Sequence, residues 1–489
     1  MPAESALEAF RSQGLAPFHA RFASDFVAAG SPAYWELVAP AGTGTTSLAR
    51  AIVERLVRTG ARRVLVLAPG TLLRRWQRAL VPTTGQPSPL VVDRRSFLEL
   101  EAAAGPGRSP WPDPAVIVMG LDLARRADMA GPLADTDWDL VVIDQSHLLT
   151  GQRRSVVEQL LAGSRAQRAL LMTATPGDPL PGVTRRVGTR EGLVDWSGHP
   201  LFREVSPAAA AVDYCRTDGE TAFLRALEGL SRELALQTAG RLQGLLLRRA
   251  ASSSFFAAET LLRRLLETWR PIRNRLAHGV SVTADDFRAS LELIDSELDE
   301  ADPLDLPERV DVDPGRIEAL CARLDELVEK IGDIEGDSKL EALTRFLAEL
   351  RRRQPPARVC VWTSFISTVR YLSASLGRLD EPVVALTSAV DREAGRRLVE
   401  EWLGKGGVLI TTEVAADDDL VAAALDHVDV CISYDLPASL GHLQDRVGRF
   451  QRASRAADVT IAWLRDTSRS FAWEEDLLGT MAGWLPPTR

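Results

Sequence analysis

The sequence predicts an α/β chain: two parallel-sheet lobes with a helical insertion between them. Three observations lead there. Apolar runs of four or five residues alternate with helical stretches over the first 200 residues, and the same alternation returns after residue 336. The stretch between reads as helix after helix and is strongly acidic. Continuous short apolar runs describe strands covered on both faces, and strand–helix alternation describes a parallel sheet.

In chain order, residues 5–30 read as helical around L-A-P-F-H at Leu15 to His19. A short strand (Leu37, Val38) then enters a turn built on Gly42 and Gly44, and a helix from Ser47 to Leu56 leaves it. Strands follow at 63–69, 91–93, 116–120, 140–144 and 168–176. Helices dominate from about residue 206, and 251–335 read as an acidic insertion with a Pro-rich joint at 301–308. A helix over 337–352 opens the second alternation, with strands at 358–365, 382–386, 407–412, 428–435 and 458–464. The expected division is 1–250 for the first lobe, 251–335 for the insertion and 336–489 for the second lobe.

A chain of 489 residues is too long for one core. No apolar run approaches the ~20 residues that span a bilayer, so no membrane partner is expected. The N-terminus lacks the basic and apolar regions of a secretory signal. Cys215, Cys321, Cys360 and Cys431 are far apart and form no C-x-x-C pair, which suits a reducing cytoplasm. Net charge is −9, but residues 281–341 hold 20 Asp and Glu against 6 Lys and Arg. The remainder, with 47 acidic and 52 basic residues, is mildly basic. The acidic segment reads either as a solvated face or as a dock for a basic partner. Only Lys330, Lys339 and Lys405 are lysines.

Strand, two-glycine turn and helix form the layout of a phosphate-binding loop, in which backbone N–H groups and a helix N-terminus face a phosphate. The pattern would be G-x-G-K-[ST], and Thr45 stands where the lysine belongs, followed by Thr46. About 100 residues on, strand 140–144 ends in Asp144-Gln145-Ser146-His147. A strand-end aspartate is either a helix cap or the holder of a nucleotide-bound Mg²⁺. Loop and aspartate in this order favour the nucleotide reading.

At these residues the sequence resembles superfamily 2 helicase-type ATPases, closest to the Swi/Snf type and in particular its bacterial RNA-polymerase-associated kind. The resemblance covers roughly residues 12–480. Leu15 to His19 resembles the segment before motif I, with His19 where a base-reading glutamine often stands; Ala39 to Thr46 resembles motif I and Val66 to Trp76 motif Ia. Asp144 to His147 resembles the D-E-x-H box, and Thr173 to Pro176 motif III. Val361 to Thr368 resembles motif IV, Thr411 to Leu420 motif V, and Asp445 to Arg452 motif VI. The resemblance implies two RecA-like lobes and an ATP and Mg²⁺ site built from Gly42, Gly44, Thr45, Thr46 and Asp144. It implies a catalytic role for the position of Gln145, with Arg449 and Arg452 reaching phosphates. It also implies duplex DNA contacts, for which Arg74, Arg75 and Arg125 are candidates.

The departures carry as much information. A contact between unit charges at ~4 Å is worth on the order of 4 kcal/mol at an effective dielectric near 20, and Thr45 cannot supply it. Gln145 replaces the glutamate that would orient and deprotonate the attacking water, and an amide has no basicity. Asp417, Asp418 and Asp419 add negative charge in motif V and offer Arg449 and Arg452 an alternative partner. The expected protein is therefore a cytoplasmic, helicase-like pseudoenzyme. It would bind ATP and Mg²⁺ weakly and serve as a non-hydrolysing DNA- or partner-binding subunit of a bacterial DNA-processing or defence complex. The alternatives are an active duplex-DNA translocase and a scaffold that binds neither ATP nor DNA.

Overall fold

The computed structural model describes residues 3–40, 42–80, 88–105, 107–162, 165–174, 177–189, 192–201, 208–235, 240–278, 314–354, 357–378, 382–387, 390, 392–412, 421, 424–437, 443, 446, 450 and 459–481. It divides into two compact units, the first built mainly from Met1–Glu204 and the second mainly from Val205–Glu300, Leu306–Leu443 and Ala457–Arg489. Each carries one parallel sheet, as expected for two RecA-like lobes.

The first sheet has seven strands: β1 (Ala33–Val38), β2 (Arg63–Ala68), β3 (Pro89–Val92), β4 (Ala115–Gly120), β5 (Leu140–Asp144), β6 (Arg168–Thr173) and β7 (Thr184–Val187). Their order is β3-β4-β2-β5-β6-β1-β7, with every pairing parallel. The apolar runs are strands because both faces are covered. Val64 and Val66 of β2 join a core on one face with Leu48, Ile52 and Trp76, while Leu65 and Leu67 join the opposite core with Phe97, Trp111 and Trp138. Neighbouring side chains on a strand point to opposite faces, so one uninterrupted run feeds two cores.

The second sheet has six strands: β8 (Ala208–Tyr214), β9 (Arg358–Thr363), β10 (Val383–Leu386), β11 (Gly407–Thr412), β12 (Val430–Ser433) and β13 (Thr460–Asp466), in the order β10-β11-β9-β12-β13-β8. All its pairings are parallel too.

Two strands escaped the sequence reading. The break in contacts falls between Glu204 and Val205, earlier than the expected boundary at 250, because β8 pairs with β13 of the second sheet. The helices Asp218–Ala235, Gly240–Ser253, Phe255–Ala277 and Pro314–Gly332 also belong to the second unit, and consecutive ones among the first three pack on each other. Most of the acidic segment, 279–313, lies outside the described residues.

Candidate nucleotide site

In a parallel sheet a ligand crevice forms outside the carboxyl ends of the strands, where the order reverses. In the first sheet β6 lies between β1 and β5, so the residues that follow β1 and β5 are roughly 10 Å apart at about 4.8 Å per strand spacing. The predicted loop follows β1 and the predicted aspartate ends β5.

Gly42 and Gly44 take φ values of 77° and 93°, the left-handed region that glycine enters without a Cβ penalty. Gly44 is the N-cap of the helix Thr45–Arg58, and no side chain caps it. The first-turn N–H groups of that helix have no acceptor within it and form its positive end. Thr45 and Thr46 are its first two residues, both half-buried. The buried Thr43 hydroxyl has no partner among the described residues.

Asp144 is half-buried, and both its carboxylate oxygens accept N–H groups. Oδ1 accepts the Gln145 amide at 3.0 Å and Oδ2 the Trp76 indole Nε1–H at 2.8 Å. Gln145 itself sits at φ 56°, ψ 55°. Such a left-handed conformation is strained for a residue with a side chain, and strain of this kind collects at functional sites.

The next residues are tied down. The Ser146 hydroxyl donates to Glu36 Oε1 at 2.7 Å, and the Arg185 Nε–H of β7 donates to Glu36 Oε2 at 2.6 Å. Arg185 also donates through Nη2 to the Gly177 carbonyl at 2.7 Å. His147 Nδ1 lies 2.9 Å from Thr173 Oγ1. Segments after β5 and β6 are thereby linked twice. The sequence reading passed over Glu36 and Arg185; a lone glutamate inside an apolar strand was the signal that could have found them.

The donor set suits a hard cation, since the Thr46 hydroxyl and the Asp144 carboxylate are oxygen ligands. Among the described residues no group of three or more His, Cys, Asp or Glu could hold a metal by itself. Mg²⁺ is commonly bound through one or two carboxylates plus the phosphates of a nucleotide, and that is what this loop offers.

Elsewhere the predicted contacts divide. Arg125 is drawn into its own unit, donating to Asp122 Oδ1 at 3.0 Å and to Gln152 Oε1 at 3.2 Å. Arg126 pairs with Asp128 at 3.2 Å. Arg154, a conceivable replacement for the missing lysine, is held by Glu158 and by the carbonyls of Asp178 and Pro179. Arg75 is half-buried, and Arg74 lies in the described helix Leu73–Ala79. Trp76 and Trp362 are wholly buried and pack in cores. Arg449, Arg452, Pro176 and Asp417 to Asp419, for which the sequence predicts site roles, lie outside the described residues. Among the described residues no helix is long and apolar enough to cross a membrane.

Fold and site together define a RecA-like α/β protein of two parallel sheets, with a glycine turn and an aspartate-ended strand at the carboxyl end of the first. No protein-family model matches the chain. Over 153 residues, 30% of this chain and 18% of the relative, it is 31% identical to the ATP-dependent RNA helicase MAK5 of Pyricularia oryzae. Over 159 residues, 32% of this chain and 19% of the relative, it is 30% identical to the ATP-dependent RNA helicase mak5 of Aspergillus clavatus. The matched stretch spans under a fifth of the length of these curated relatives. Among solved structures, it is similar to Mss116p bound to ssRNA and AMP-PNP, with a TM-score of 0.49 and 11% identity over 98% of this chain and 75% of that one. It is also similar to the Pyrococcus furiosus Hef helicase domain, with a TM-score of 0.46 and 16% identity over 95% and 98% of the two chains.

Proposed function

We propose that this chain is a superfamily 2 helicase-like protein of Swi/Snf type that binds ATP and Mg²⁺ without efficient turnover. It serves as a nucleic-acid- or partner-holding subunit of a bacterial DNA-processing or defence complex. The observation that carries this reading is the paired replacement at Thr45 and Gln145 within a backbone that keeps its glycine turn and its strained strand-end residue. The loop still offers N–H groups and hydroxyls to phosphates, and Asp144 still offers a carboxylate. What the two replacements remove is chemistry: the lysine's cation over the phosphates and the glutamate's base for the water. Losing general-base help costs roughly 10²–10⁴ in rate.

The capture of Arg154 by Glu158 speaks against one form of the active-translocase alternative, because one conceivable substitute for the lysine is engaged elsewhere. The curated relatives are named as RNA helicases, which makes RNA a nucleic acid to test beside duplex DNA. The test is steady-state ATP hydrolysis by the purified protein, alone, with duplex DNA and with RNA, beside a Thr45→Lys/Gln145→Glu double variant. The expected result is a silent wild type and an active double variant. Nucleic-acid-stimulated turnover in the wild type would overturn the reading.

A further inference from the structure

A cavity of about 460 Å³ opens in the first unit between the helix Pro17–Ala28, the paired edge strands β1 and β7, and the turn around Trp196. That volume lies within the roughly 300–1,000 Å³ of ligand pockets. Phe18, Arg21, Phe22 and Asp25 recur at helical spacing and share the face that lines it. On β7 the side chains alternate. Arg185, opposite Glu36, donates to that glutamate, while Arg186, opposite Leu37, turns to the other face, where its guanidinium lies 5.4 Å from the centroid of the Trp35 ring. Gly188 lets this wall close, because a Cβ there would come within 2.9 Å of the Phe18 ring. At the rim Trp196 is 38% exposed, and its Nε1–H donates to the Leu15 carbonyl at 2.8 Å, which fixes the ring.

The charged lining groups are Arg21, Arg186, Asp25 and Asp195. Asp195 is occupied by its own turn, with Oδ1 accepting the Ser197 and His199 N–H groups at 2.8 and 2.9 Å. The other three are exposed, and among the described residues their side chains make no ion pair and no hydrogen bond. A guanidinium stacked on a ring keeps its in-plane N–H fork for a planar anion such as a carboxylate. Neither His19 nor Gly42, Gly44, Thr45 or Thr46 lines the cavity, so it is separate from the nucleotide loop.

We propose that this cavity docks the C-terminal aromatic residue of a partner polypeptide, with the ring among Phe18, Phe22, Trp35 and Trp196, the terminal carboxylate on Arg21 and Arg186, and the last amide N–H on Asp25. Such a residue carries a ring, one carboxylate and an amide donor on a single Cα, and the lining complements each of the three. A base with a terminal phosphate also joins a ring to an anion, but it brings close to two negative charges beside Asp25, where the peptide brings one and a donor for that carboxylate. The assignment gives a chemistry to the partner-holding part of the function proposed above and does not depend on the ATP and Mg²⁺ part.

The experiment uses the full chain and a short fluorescein-labelled peptide that ends in tryptophan with a free carboxylate, followed by fluorescence anisotropy. The same peptide with an amidated C-terminus should bind about tenfold more weakly or worse, because the charge that the guanidinium groups receive is gone. Arg186→Gln and Arg21→Gln, two separate exposed substitutions that break no ion pair, should each weaken the free-carboxylate peptide by a similar factor and leave the amidated one unchanged. A non-hydrolysable ATP analogue should not displace the peptide. Absence of peptide binding, equal affinity for acid and amide, or indifference to both arginine substitutions overturns the proposal. Displacement by the ATP analogue overturns it as well, since the cavity would then belong to the nucleotide site. A 5′-phosphorylated single-stranded oligonucleotide that displaces the peptide and depends on the same two arginines assigns the cavity to nucleic acid and overturns it too.

Discussion

His19 shows how far one residue can depart from the part its neighbours suggest. It was expected near a base, and its ring is 2% exposed, edge-on to Phe18 at 5.6 Å, with Nε2 unpartnered among the described residues. Burial disfavours the charged imidazole and lowers its pKa from 6.5 to about 4. The folded protein therefore binds this proton less readily than the unfolded chain. The stabilising contribution is complete above pH 6.5 and is lost as pH falls toward 4. At about 1.4 kcal/mol per pH unit, urea unfolding at pH 5 should show a stability lower by roughly 2 kcal/mol than at pH 7.5 from this group alone. His19→Gln, which does not titrate, should flatten the profile by that amount. An identical pH dependence in wild type and variant would mean that the ring is hydrated in solution.

At the level of elements, legibility followed burial. The strands covered on both faces, such as β2 and β5, were read within a residue or two because their composition leaves no other home for them. β7 (T-R-R-V) and β8 (A-A-A-A-V-D-Y) were missed, and both are edge strands of the sheets they join. An edge strand is recruited by backbone pairing with a neighbour far away in sequence, and neither polar residues nor alanines advertise that. The loop and the strand-end aspartate were legible because they punctuate strands. The Glu36–Arg185 pair was not, because Arg185 sits on the missed β7. That pair sets a test. Glu36 is 6% exposed, and Arg185→Ala would leave its carboxylate with the Ser146 hydroxyl and no cation. A fully buried pair broken this way loses about 3–5 kcal/mol, and the partial exposure of Arg185 reduces the expectation to roughly 2 kcal/mol. Chemical denaturation should show that loss, and adding Glu36→Gln should recover part of it. A second change as costly as the first would mean that the carboxylate is stabilised by something other than the arginine.

For the molecule as a whole the governing quantity is where its charge lies. The formal charge of −9 is the sum of an acidic stretch and a mildly basic remainder. In the first unit many of the basic residues are neutralised locally, as Arg62 is by Asp113, Arg125 and Arg153 by Asp122, and Arg165 by Asp137. The exposed pairs among these, Arg62–Asp113 and Arg165–Asp137, are worth about 0.2–1 kcal/mol each, little enough for a polyanion to displace the carboxylates. In general, a tethered run of acid that reached such arginines would compete with a polyanion for them. Residues 281–313 contain 12 Asp and Glu, and converting them to Asn and Gln moves the formal charge from −9 to +3. The charge-neutralised chain should bind duplex DNA about tenfold more tightly at 50 mM salt, with a steeper fall in log affinity against log salt. The advantage should shrink toward 300 mM, where the screening length has dropped below about 6 Å. Fluorescence anisotropy across that salt series decides it. Equal affinities at low salt would place the acidic stretch away from any surface that meets nucleic acid, and would turn attention to a basic protein partner as its ligand.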